Sequence, residues 1–202
     1  MSGALVWLLV ALGLAVVIVR RRSIAVGLVT MQALVLAAAA AQSTGGNDLF
    51  AACALAVRAV ALGALLLFVV SRTREPRPVR AGLSPLARGG IAVVLALALT
   101  WLVPLIGLDS RNVERGVIAL VAFGAATVML RRATLFQVLG IVLTENGLAL
   151  AALRLPNGSS SAIEFGVAFD LTLIALVAVV FHERIFAEFG AGDTAALRTL
   201  RD

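Results

Sequence analysis

One cysteine, one histidine and no lysine occur in 202 residues, and charged residues make up only 14% of the chain. Each scarcity closes a class of function. The lone Cys53 cannot form a disulfide within the chain, and its apolar surroundings read as those of a small packing residue. The lone His182 excludes a bis-histidine haem site. Without a histidine or cysteine cluster there is no constellation for a metal or an iron–sulfur centre, so no cofactor is expected. No nucleophile–base arrangement stands out either, and the chain reads as non-catalytic by itself. The sequence pI is near 11.5. With no lysine, the basic charge is all arginine, placed at the ends of apolar blocks rather than on one folded face. That placement points to membrane topology and away from nucleic acid.

What is present is apolar. Hydrophobic residues make up 61% and mean hydropathy is +1.06, whereas a water-soluble domain carries about a quarter charged residues. The apolar residues form blocks long enough to cross a hydrocarbon core of ~30 Å at ~1.5 Å per residue. The blocks are continuously apolar rather than alternating, which predicts helices and not a β-barrel. Seven spans are expected, at roughly 3–19, 24–42, 50–70, 91–107, 113–130, 134–153 and 163–182. The first block starts at Ser2 with no basic segment before it and no small-residue cleavage site after it. It reads as a retained span rather than a signal peptide. The expectation is therefore an all-α, multi-pass helical bundle in a bilayer.

Orientation follows from the arginines. Thirteen fall after spans one, three, five and seven, against Arg111, Arg115 and Arg154 on the other side and Arg58 within a span. The positive-inside rule then puts the N-terminus outside and the C-terminus in the cytoplasm. Residues 1–70 form an N-terminal three-helix unit, 71–90 an arginine- and proline-rich cytoplasmic linker, 91–182 a four-helix unit and 183–202 a cytoplasmic tail. A weak internal repeat spans the linker. Gly27 and Gln32 in span two match Gly140 and Glu145 in span six, each pair following arginines and preceding a helix with one charge, Arg58 or Asp170. Duplicated three-helix units are common in transporters.

A mid-bilayer charge costs about 2.5–3.5 kcal/mol on insertion scales, so each one asks for a partner or a role. Glu145 lies near the middle of span six, where desolvation disfavours the anion and lets the group exchange a proton near neutral pH. It reads as a proton relay, or as a protonated carboxyl bonded to a neighbouring helix. The same two readings hold for Asp170. Glu164, nearer the outer end of span seven, could be the exit of a path. Arg58 cannot relay by losing a proton. It is either a countercharge for a carboxylate or a structural side chain that pairs or snorkels. Gln32 and Asn146 can bridge helices, and Gly140 and Gly147 allow close backbone approach.

The run Arg131-Arg132-Ala133-Thr134-Leu135-Phe136-Gln137-Val138-Leu139-Gly140, followed by Thr144-Glu145-Asn146-Gly147, resembles the hydrogenase-4 component E family. The likeness continues through Ile163-Glu164-Phe165-Gly166, Asp170 and the tail from Gly190 to Leu200, while earlier spans match mainly in length and order. The resemblance implies that residues 113–182 look like the K-type subunit of respiratory complex I and the C subunit of multisubunit cation/proton antiporters. It implies a non-redox subunit of the bacterial cytoplasmic membrane, within a complex that couples electron transfer to proton or sodium movement. Partners implied are large antiporter-like subunits, a quinone or hydrogenase-anchoring subunit and the peripheral arm. The family's mid-membrane glutamate carries over to Glu145; its second acidic position falls in the region of Asp170, which departs from it by being an aspartate. An assembly anchor without ion movement and an antiporter subunit are the other readings of the same residues.

Overall fold

In the computed structural model the described residues are 3–42, 46–72, 83–104, 107, 108 and 110–154. They form six helices: α1 Gly3–Ile18, α2 Arg22–Ala41, α3 Gly46–Arg72, α4 Pro85–Leu102, α5 Arg111–Leu130 and α6 Thr134–Ala152. Helices α2, α4, α5, α6 and the Ala52–Arg72 part of α3 are long and apolar enough to cross a bilayer, while α1 is a shorter apolar helix of 16 residues. The expected seventh span at 163–182 and the tail, with Glu164, Asp170 and His182, lie outside the described residues.

Short polar punctuation sets the boundaries. Ser84 caps α4 by accepting from the Ala87 N–H, with Pro85 in the first helical position, where its missing N–H does no harm. Span four therefore starts six residues earlier than its expected position at 91 and stops at Leu102, before Pro104. Residues 85–90, expected in the linker, are helical and bring Arg88 into the bundle. Ser110 caps α5 in the same way through Val113 N–H. At Gly107 the backbone turns through φ +81°, a conformation that glycine adopts without strain.

Helices α5 and α6 form the centre, with 67% and 61% of their spans buried, against 33% for α3 and 22% for α4. Their contact is close because glycines face each other: a Cβ on Gly140 would lie 2.7 Å from the Gly124 carbonyl oxygen. Gly147 similarly faces Leu120, where an added Cβ would come within 3.0 Å of the Leu120 Cβ. By contrast Gly27, which the expected repeat aligns with Gly140, faces open space.

The apolar interior has two parts. One joins Val6, Leu9 and Val17 of α1 to Ala92 and Ala96 of α4 and to the inner face of α5. The other joins Val26 and Val29 of α2 to Leu62, Leu66 and Val69 of α3 and to Leu135, Phe136, Leu139 and Val142 of α6. Helices α1, α2 and α6 belong to both, α1 reaching the second through Val16. Along α2 the change of core falls between Val29 and Leu36, and along α6 it falls around Val142, Leu143 and Leu150. Gln32, Glu145 and Asn146 sit at that seam.

Candidate intramembrane charge site

Four polar side chains singled out by sequence meet in one layer. The Arg58 guanidinium on α3 donates through Nη2 to Oε2 of Glu145 on α6, and both side chains are buried, at 8% and 3% exposure. One residue further along α6, Asn146 donates from Nδ2 to Oε1 of Gln32 on α2 at 3.0 Å. The Gln32 amide donates in turn to the Leu9 carbonyl of α1 at 2.9 Å. The polar layer therefore ties α6 to α3 on one side and, through α2, to α1 on the other.

Small residues make room for it. A Cβ on Gly13 of α1 would lie 3.3 Å from Gln32 Nε2 and 3.0 Å from Leu120 Cδ2, so this glycine admits the amide. On the other flank, Gly63 of α3 sits directly against Thr30 of α2, whose hydroxyl donates back to the Val26 carbonyl at 2.9 Å. Beside Thr30, Gly63 and Arg58 lies a cavity of about 10 Å³, close to the minimum for one water molecule. Two atoms of the ion pair, Arg58 Nε and Glu145 Oε1, are buried without a partner. A buried carboxylate with one bonded and one unused oxygen keeps an acceptor position for a proton.

The sequence singled out Arg58, Glu145, Gln32, Asn146, Gly140 and Gly147, and all are in the interior. Cys53 is a correction: it lies on the exposed side of α3, on the same outer stripe as Val57 and Val60, where it packs against no core.

Three buried charges were not legible as such. Arg88 is fully buried and donates from Nη2 to the Ile18 carbonyl at 3.3 Å. Arg131 donates from Nη2 to the Val17 carbonyl at 3.2 Å and also to the Val19 carbonyl, with its guanidinium 3.9 Å over the Phe136 ring. Both cap the carbonyl end of α1, where a cation complements the helix dipole. Burial, then repulsion from Arg88 and Arg20, pushes the Arg131 guanidinium down to about 10, so it stays a cation at neutral pH. Glu114, in the first turn of α5, is buried and accepts from the N–H groups of Gly107 and Leu108 at 2.7 and 3.2 Å. It fastens the turn before its own helix.

Among the described residues no group of three histidine, cysteine, aspartate or glutamate side chains gathers where a metal could bind. No family model, no curated protein and no solved structure matches the chain.

Proposed function

We propose that this chain is a non-catalytic, multi-pass subunit of the bacterial cytoplasmic membrane, in a complex I-like assembly related to hydrogenase-4. In this reading Glu145 is one station in a lateral line of intramembrane charges that moves a proton, or sodium, during electron transfer. The observation that carries the reading is the Arg58–Glu145 pair, buried mid-helix at the seam of two apolar cores. Apolar packing would be a cheaper way to hold α3 against α6, since a buried ion pair often does no better than hydrophobic residues of similar volume. A retained pair points to use of the charge. Arginine keeps its proton, so Glu145 is the member that changes state and Arg58 supplies the countercharge.

Other residues fit the same reading. Glu145 Oε1 is unused, and a small cavity reaches Arg58 from the α2–α3 side. The packing of α1 against α5 and of α2 against α6 brings together the helices that the internal repeat makes mates. Asp170 and Glu164 would continue the line beyond the described residues.

The assembly reading has its own support. The Asn146–Gln32–Leu9 chain links three helices through two hydrogen bonds, without titrating. The two readings separate on one variant. Glu145→Gln should leave the complex assembled, as judged by mild-detergent co-purification and mass spectrometry, and abolish redox-coupled ion movement in vesicles. Unchanged pumping in that variant, or co-purification that yields no redox or antiporter-like partner, would sink the proposal.

A further inference from the structure

Three arginines lie close enough at one end of the bundle to repel one another, and among the described residues no acidic side chain meets them. Arg20 lies in the turn between α1 and α2, Arg88 in the first turn of α4 and Arg131 at the end of α5. Arg88 and Arg131 reach consecutive carbonyls, Val17, Ile18 and Val19, so their guanidiniums share a space only a few ångströms across. Gly89 lets α4 approach this end of α1, since a Cβ there would lie 3.1 Å from Ile18 Cγ1. Each buried guanidinium uses one nitrogen on these carbonyls. Arg88 Nε and Nη1 and Arg131 Nε remain buried and unpartnered.

Buried cations that keep unpartnered donors are unfavourable unless a counter-anion completes them. The described acidic side chains are engaged elsewhere: Glu145 with Arg58, and Glu114 with the Gly107–Leu108 turn. The α1 carbonyls absorb two donors but carry only partial charge. Among the described residues no acceptor with several oxygens and a full negative charge meets these donors. Two buried guanidiniums from different helices, with a third arginine near enough to repel both, suit a multi-oxygen anion such as a tetrahedral oxyanion better than a halide. The cluster also sits at helix ends, the depth at which headgroups meet a membrane protein.

We propose that Arg20, Arg88 and Arg131 form a receptor for a phosphate-class anion, with the two buried arginines as its floor and the exposed Arg20 as its rim. The proposal does not depend on the redox assignment, because it concerns an end of the bundle rather than its middle layer, and a permanent charge.

The test uses the full chain, purified in neutral detergent and washed free of lipid. Its melting temperature is followed against inorganic phosphate, against chloride at equal ionic strength, and against phosphatidylglycerol or phosphatidylcholine in mixed micelles. A saturable rise with phosphatidylglycerol and not phosphatidylcholine identifies a lipid headgroup; a rise with inorganic phosphate alone identifies a soluble anion. Either supports the site. Arg20 caps no helix, so Arg20→Gln should fold normally and bind about tenfold more weakly, the loss of one charge-assisted contact. Arg88→Gln, where it folds, should lose the response altogether. No saturable rise with either phosphate source, or equal affinity in Arg20→Gln, overturns the proposal.

Discussion

The Arg58 guanidinium and the Glu145 carboxylate, 87 residues apart in the chain, close a buried ion pair between α3 and α6. Removing one member leaves the other charged and uncompensated. Arg58→Met should therefore destabilise the protein by about 3–5 kcal/mol, and the double variant Arg58→Met/Glu145→Met should recover most of that. A thermal double-mutant cycle in detergent measures it. Additive losses would show that the pair is not coupled.

The neighbouring amide chain is neutral and should respond more gently. Asn146→Leu leaves Gln32 Oε1 without its donor, at a loss of about 1–2 kcal/mol. Gln32→Leu breaks two hydrogen bonds and should lose more than Asn146→Leu, with ion movement retained in both. A collapse of transport in Asn146→Leu would move the amide chain into the conducting path.

Gly140 and Gly27 should part company. Gly140→Ala places a methyl against the Gly124 carbonyl and should force α5 and α6 apart, lowering the melting temperature by several degrees. Gly27→Ala meets open space, and replacing a helical glycine should leave stability unchanged or raise it by up to about 1 kcal/mol. Equal effects would mean that the α5–α6 contact is looser than described.

Arg131 predicts a pH dependence with a definite sign. Its folded value is pushed down to about 10, well below the ordinary guanidinium range, so above pH 10 the unfolded chain holds more protons than the folded one. Stability from this group should rise with pH through that window, and be flat near neutrality. The chain has neither lysine nor tyrosine, which removes the usual groups that titrate there. Comparing denaturation slopes of the native chain and Arg131→Gln isolates the effect; a falling slope would contradict it.

The spans were readable because apolar block length answers directly to bilayer thickness, and the described helices fall on six of the seven blocks. The polar layer was readable residue by residue, since Arg58, Glu145, Gln32 and Asn146 are each conspicuous in an apolar run. Their partners were not. Nothing in the sequence says that Arg58 reaches Glu145 while Gln32 reaches Asn146; that follows from how α2 and α3 rotate against α6. Arg88 and Arg131 were hidden for the opposite reason. An arginine at the end of an apolar block looks like a loop charge, and only the approach of α4 and α5 to the end of α1 turns it inward. Ser84 and Pro85 carried the true start of α4, within a linker whose prolines drew attention away from them.

The separation of Arg58 from Glu145 along the chain also has a biosynthetic side. At about 5–20 residues per second, a ribosome needs on the order of 10 s to make the residues between them. During that interval α3 must already be in or at the membrane, carrying an arginine whose counter-ion does not yet exist. The apolar character of Ala52–Arg72, the highest of the five long spans, is what can hold it there. Glu145 then arrives as the residue that ends the wait, so the N-terminal helices are completed only by the last described helix. A chain truncated before α6 should accumulate with α3 exposed to membrane quality control and be degraded.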